Sequence, residues 1–311
     1  MGSNVLWNQD TSMEFTDRAM VAAKLPNILP RNIYFVHATE GASTNTGLSR
    51  ASPLTTLSLA YDKCVANKGD VIVLLPGHAA TLSATAVTTL ATAGVTVLGI
   101  GYGRSKPIIT CGAGNVDGLS VTGANQTFVN IIFVGSSSQT STSIVDIAAA
   151  DTTFLNCQFE HGAGPLAAVS VSAGNKWKFD GCKFIGTADG PDFCVDVEAH
   201  TSDWEFTNCI IDYGFAGLDN AIIRANADSC PGGTFNNVVA SGLTLLAVDF
   251  NSSTNATGDG IIANSMFGFI AGITASAGAV PVDVGGYNCV NVRWADVAAG
   301  RDVYTIGTTV T

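Results

Sequence analysis

Apolar and polar residues alternate along this chain in short runs, and one run recurs: an aromatic or aliphatic residue, a spacer, Asn, a small apolar residue, a spacer and a second apolar residue. It reads Phe128-Val129-Asn130-Ile131-Ile132-Phe133, then Phe154-Leu155-Asn156-Cys157-Gln158-Phe159, then Phe179-Asp180-Gly181-Cys182-Lys183-Phe184. It continues as Phe206-Thr207-Asn208-Cys209-Ile210-Ile211, Phe235-Asn236-Asn237-Val238-Val239-Ala240 and Ile262-Ala263-Asn264-Ser265-Met266-Phe267. The copies begin at positions 128, 154, 179, 206, 235 and 262, a repeat of about 26 residues. Each copy alternates with the period of two that marks a strand.

A second apolar run follows each copy. Ile144-Val145-Asp146-Ile147, Val169-Ser170-Val171, Phe193-Cys194-Val195-Asp196-Val197, Ile222-Ile223 and Leu245-Leu246-Ala247-Val248-Asp249-Phe250 are examples. Clusters of Gly, Ser, Asp and Asn between the runs supply turn chemistry. A unit this short has no room for a crossover helix, so each repeat must be one coil of two or three strands stacked in parallel on the next, about 4.8 Å away. Side chains at equivalent positions then form ladders. One is Asn130, Asn156, Asn208, Asn237 and Asn264, interrupted by Gly181, with amides free to bond to neighbours and to turn backbone. The next contains Cys157, Cys182 and Cys209, expected as buried free thiols acting as small hydrophobes.

The expected fold is all-β, a right-handed single-stranded parallel β-helix of about seven or eight coils, with an N-terminal arm and a short capping helix. Residues 33–69 form the capping segment, 70–288 the β-helix and 289–311 a C-terminal cap or oligomer contact. The helix is expected over Pro53–Lys68, where Leu54, Leu57, Ala60, Tyr61 and Cys64 fall at helical spacing, with Ser52 as N-cap and Pro53 in the first turn. Residues 1–32 show no strand period and end in Pro26 and Pro30. Such an arm needs something to hold it, and a partner is expected to do so.

Composition narrows the function. The formal net charge is -11, and only 14 of the 311 residues are Lys or Arg, which excludes the clustered basic surface that nucleic-acid binding requires. No apolar run is long enough for a membrane helix and no secretion signal opens the chain, so synthesis in a cytoplasm is expected. No cofactor motif stands out. Gly99-Ile100-Gly101-Tyr102-Gly103-Arg104 has Arg where the dinucleotide spacing needs Gly, and reads as a turn. His37, His78, His161 and His200 have no metal-type spacing and are expected at surface or turn positions. Asn125, Asn251 and Asn255 fit the glycan acceptor pattern but read as turn residues.

Clustered carboxylates are the remaining chemistry. Asp189, Asp192, Asp196, Glu198 and Asp203 lie close in sequence, and inward Phe193, Val195 and Val197 turn Asp196 and Glu198 outward, with Arg224 one coil on. Paired acids of this kind cleave glycosides by general acid and base action. The competing reading is a solvated acidic surface.

The opening Arg31-Asn32-Ile33-Tyr34-Phe35-Val36-His37, the polar stretch Thr39 to Thr46, and Lys68 through Gly77 together resemble the start of pectate-lyase-like right-handed β-helix proteins. Such openings are frequent in tailed-bacteriophage virion proteins, and with the Phe-x-Asn-Cys ladders the resemblance spans roughly residues 31 to 290. It implies a trimeric capsid decoration protein on the capsid exterior, with the major capsid protein as partner. The alternative is a tailspike or tail fibre that binds or cleaves bacterial surface polysaccharide, with Asp192, Asp196 and Glu198 as candidate acids. The Asp-Asp pair, Gly-His-Gly and Arg-x-Lys of polygalacturonase-like enzymes are absent, so no catalytic residue is carried over from them.

Overall fold

A computed structural model describes residues 30–82, 88–111, 118–135, 143–162, 165–186, 193–198, 202–213, 221–225, 232–243, 246–249, 260–269, 287–290, 292–296 and 301–306. The chain winds into a parallel β-helix with three faces. The first face is a ten-stranded sheet running from Ile33–Val36 to Tyr287–Val290. The second is also ten-stranded, from Ala79–Thr81 to Arg301–Ile306. The third has seven strands, from Thr88–Leu90 to Leu246–Asp249. Neighbouring strands pair in parallel in register, so that Phe128, Phe154, Phe179, Phe206 and Phe235 stand directly above one another.

That register makes the core. Consecutive rings of the phenylalanine column stack with centroids 5.0 to 5.2 Å apart, close to the spacing between strands. A second column, Phe133, Phe159 and Phe184, stacks at 5.2 and 4.8 Å and meets the first edge-on. Trp177 and Trp204 extend the packing as a parallel pair 5.5 Å apart, and Gly233 on the next rung leaves the space that the Trp204 indole fills. Cys157, Cys182 and Cys209 line the corner as buried free thiols, as their ladder position required.

The turn between the first and second faces explains the recurring Asn. Asn130, Asn156, Asn208, Asn237 and Asn264 all hold left-handed backbone, with φ between 50° and 57°. Asn tolerates this conformation better than most residues because its short amide bonds locally. Gly181 adopts it too, at φ 64°, so it keeps the turn while breaking the side-chain ladder.

The helix is shorter than the apolar spacing implied. It spans Leu57–Tyr61, and its N-cap is Thr56, whose side chain accepts from the Leu59 N–H, rather than Ser52. Leu54 is drawn instead into a parallel bridge with Val36, and its N–H donates to the Phe35 carbonyl. An open strand edge therefore captures the segment that helical spacing claimed. Leu57, Ala60 and Tyr61 close the end of the coil, and the Tyr61 hydroxyl donates to the buried Gln126 amide oxygen at 2.6 Å. Ile33–Val36 pairs along its whole length with Val71–Leu74, so the first face begins within the stretch expected as a cap. At the far end Arg301–Ile306 turns back antiparallel on Val292–Asp296, which ends the parallel stacking on the second face.

Candidate functional site

Between two inward residues of the third-face strands Leu119–Val121, Ser143–Ile147, Ala167–Val171 and Phe193–Val197 lies an outward position, and register stacks these positions into a polar column. Ser120, Asp146, Ser170, Asp196 and Arg224 follow one another rung by rung. Asp146 accepts from Ser120 at 3.1 Å and from Ser170 at 3.2 Å. Asp196 accepts both arms of the Arg224 guanidinium, one from Nε at 2.9 Å and one from Nη2, and the same guanidinium lies 4.1 Å over the Phe193 ring. Planar two-point pairing of this kind is what Arg provides and Lys does not.

The solvated acidic surface is not what the structure builds at Asp196. Its side chain is 1% exposed, and Asp146 and Ser170 beside it are also buried. A buried carboxylate needs a partner, and the bidentate Arg224 supplies it. Glu198 is exposed just beyond the strand, and Asp203 sits at the next corner with φ 59°. Asp196 and Glu198 are thus close in sequence but differ in environment, and Asp203 belongs to a separate turn. Asp189 and Asp192 lie outside the described residues. The column had a sequence signal, the single polar residue between two inward aliphatics in Val145-Asp146-Ile147, Val169-Ser170-Val171 and Val195-Asp196-Val197.

A second polar arrangement occupies the Asn corner. Asn156 donates to the Asn130 amide oxygen at 3.2 Å and Asn237 to that of Asn208 at 2.8 Å. At Gly181 no amide is present, and Asn208 turns to the Asp180 carboxylate at 3.2 Å. The missing side chain opens a shallow groove of about 250 Å³, bordered by Lys106, Asn156, Gln158, Lys183, Asn208 and Ile210. Lys106 reaches in from an earlier coil to donate to the Asn156 carbonyl at 2.9 Å, and partial burial lowers its pKa. Two ammonium groups and a set of amides there present donors to a polar or anionic group lying across the rungs.

Three described histidines depart from the expected surface or turn positions. His37, His78 and His161 are all buried, while His200 lies outside the described residues. His37 Nδ1 accepts from the Glu40 N–H, and its ring faces His78 edge-on with centroids 6.3 Å apart. Burial, with a smaller contribution from His37, lowers the His78 pKa to about 4. Burial lowers that of His161 to about 4 as well, against the opposing contact of its Nε2 with the Pro165 carbonyl at 2.8 Å. Burial pushes the thiols of Cys182 and Cys194 up, which keeps them protonated and inert. Among the described residues no group of three or more His, Cys, Asp or Glu side chains is placed to hold a metal ion, and no helix is long and apolar enough to cross a membrane. The Gly99–Arg104 stretch forms a turn, with positive φ at Gly101 and Gly103.

Solved structures of other proteins share this architecture. A rhamnogalacturonan lyase superposes with a TM-score of 0.63 over 90% of this chain and 85% of its own, at 15% identity. A pectate lyase does so with a TM-score of 0.59 over 89% and 80%, at 16% identity. At such identities the likeness establishes the fold, a pectate-lyase-like parallel β-helix. No family model and no curated protein sequence matches the chain.

Proposed function

We propose that this chain is a structural protein of a tailed-bacteriophage virion, a capsid decoration protein that acts as a homotrimer on the major capsid protein at the capsid exterior. The observation that carries this reading is the direction of the polar bonds. The side chains with most chemical potential, Asp146 with its serines and Asp196 with Arg224, bond along the rod axis between coils, and both carboxylates are buried. Groups used in this way stiffen a rod. The opening of the chain, with its resemblance to virion β-helix proteins, supplies the particle. Trimeric valency then multiplies weak contacts with the shell. The test is immunogold electron microscopy of intact phage with antibody raised against the β-helix. Label on the capsid shell supports the proposal, and label restricted to the tail or absent from particles overturns it.

A second reading, a tailspike or tail fibre that binds or cleaves bacterial surface polysaccharide, is favoured by the groove at Gly181 with its lysines and amides. The two proteins of similar fold are named as lyases of rhamnogalacturonan and pectate, which agrees with it. The candidate acids in this reading are Asp192, Asp196 and Glu198. Incubating the protein with host capsule or lipopolysaccharide and assaying new reducing ends separates cleavage from a structural role.

A further inference from the structure

The outward residues of the three faces differ in what they offer to a partner. On the third face the carboxylates of Asp146 and Asp196 are buried and bonded to neighbouring rungs. On the first face the outward residues of the middle coils are mostly polar and half-exposed, as in Lys178 and Asp180 or Glu205 and Thr207. The second face carries a column that changes character along the rod. Gln158, Lys183, Ile210, Val239 and Met266 stand in register on consecutive rungs, and the last three are 49%, 40% and 41% exposed. Single exposed apolar residues are ordinary, but three stacked at strand spacing make a stripe. Asn208, Asn237 and Asn264 border it at the corner, and Asp212 and Ser241, joined by a hydrogen bond of 3.1 Å, border it on the other side.

The stripe runs into the groove at Gly181, which Lys183 and Ile210 both line. Lys106 spends one donor there on the Asn156 carbonyl, and Lys183 has no hydrogen-bond or ion-pair partner among the described residues. Asp180 beside them is already met by Lys178 at 3.6 Å and by Asn208. The groove is therefore a local positive site on a chain of net charge -11.

We infer that groove and stripe form one docking surface for an extended peptide segment of a partner protein, with a carboxylate seated at Gly181 beside Lys106 and Lys183 and aliphatic side chains laid along Ile210, Val239 and Met266. The partner is the major capsid protein if the capsid role proposed above, on which this identification rests, is right. Charge complementarity fixes the acidic end of the segment. Three rungs separate Lys183 from Met266, roughly 14 Å, which about five extended residues span. Alternate side chains of an extended segment face one way, so one acid and two aliphatic residues at successive alternate positions meet the surface. The polar borders lie where the segment's backbone amides need partners, giving an apolar centre with a polar rim. Among the described residues of groove and stripe there is no aromatic ring for the apolar face of a sugar to pack on, which favours a peptide over a saccharide.

Panning a library of random peptides against the immobilised full-length protein tests this. The expected result is enrichment of sequences in which Asp or Glu is followed at alternate positions by two aliphatic residues. By fluorescence anisotropy, the selected peptide binds the Lys106→Gln/Lys183→Gln double variant at least ten-fold more weakly than the wild type, and the Ile210→Ser/Val239→Ser double variant likewise. Gly181→Asn fills the groove and has the same effect on binding with a urea midpoint no lower than that of the wild type, so loss of binding there is not loss of fold. No enrichment, enriched peptides without an acid, or unchanged affinity in Gly181→Asn overturns the inference. Polygalacturonate that displaces the peptide and depends on the same lysines overturns it in favour of a saccharide. Self-association of the wild type that the Ile210→Ser/Val239→Ser variant abolishes overturns it in favour of a second copy. Capsid label in the immunogold experiment without a selected peptide removes this inference and leaves the capsid role; a selected peptide without capsid label supports the docking surface and overturns the capsid role alone.

Discussion

At the scale of single residues, Gly181 is the informative exception. It holds the same left-handed turn as five asparagines, and a Cβ built there meets no atom nearer than 3.9 Å. Gly181→Asn therefore fits without a clash, restores the amide row between Asn156 and Asn208, and reduces the freedom of the unfolded chain. A stabilisation of about 1 kcal/mol is expected, read as a higher urea midpoint with unchanged slope. The same substitution fills the groove, so loss of polysaccharide binding alongside the gain identifies the groove as a binding site. The opposite change, Asn208→Ala, places Ala at φ 54° and removes bonds to Asp180 and Asn237. It costs about 1–2 kcal/mol in the same assay, and Asn208→Gly costs less. The recurring Asn was legible from spacing alone. Its backbone reason was not, because a ladder of stacked amides and a left-handed turn leave the same mark in a sequence.

At the scale of elements, the apolar period identified the inward Val145, Val169, Val195 and Val197 correctly, misplaced Phe193, which the structure sets outside the core with Ala167 and beneath the outward Arg224 while Cys194 turns inward, and said nothing about what lies over the outward side. Val195-Asp196-Val197 alternates as a half-solvated strand does, yet all five residues of Phe193–Val197 are buried. The helix failed for a related reason: spacing cannot report that the Leu54 backbone is claimed by the edge of Ile33–Val36. The third-face column gives the strongest prediction at this scale. Arg224→Met removes the guanidinium and leaves the Asp196 carboxylate buried without its charge partner, at a cost of roughly 3–5 kcal/mol in denaturant unfolding. Adding Asp196→Leu in the double variant recovers most of that loss, because two apolar side chains of similar bulk need no pairing. If the single and double variants are equally destabilised, the pair contributes through packing against Phe193 rather than through charge. The same double variant bears on mechanism, since it removes Asp196 as a candidate acid. Polysaccharide cleavage that survives it places the chemistry elsewhere on the chain.

At the scale of the whole molecule, stability comes from nearest-neighbour stacking, so a penalty on any coil spreads through its contacts with the next. Two buried histidines place such penalties at separate points, His78 at the second-face start and His161 in the middle of the rod. Both have folded pKa values lowered to about 4, chiefly by burial, against an ordinary value of 6.5. Above pH 6.5 both the folded and the unfolded chain hold neutral imidazoles, and stability does not respond to them. As the pH falls from 6.5 toward 4, the unfolded chain gains protons that the folded chain refuses, so stability declines through that window and levels off below it. The full loss is on the order of 3 kcal/mol for each histidine. Urea unfolding followed by tryptophan fluorescence at a series of pH values between 7.5 and 4.5 measures it, with Trp177 and Trp204 as reporters buried in the middle coils. His161→Gln keeps a polar group in place of the imidazole and removes the titration, so its midpoint falls less steeply with pH than that of the wild type. An identical pH dependence in the variant assigns the acid sensitivity to other groups. A decline in the variant confined to the coils nearest His78, detected by hydrogen exchange while Trp177 and Trp204 stay protected, shows that the rod opens from its capped end instead of as one unit.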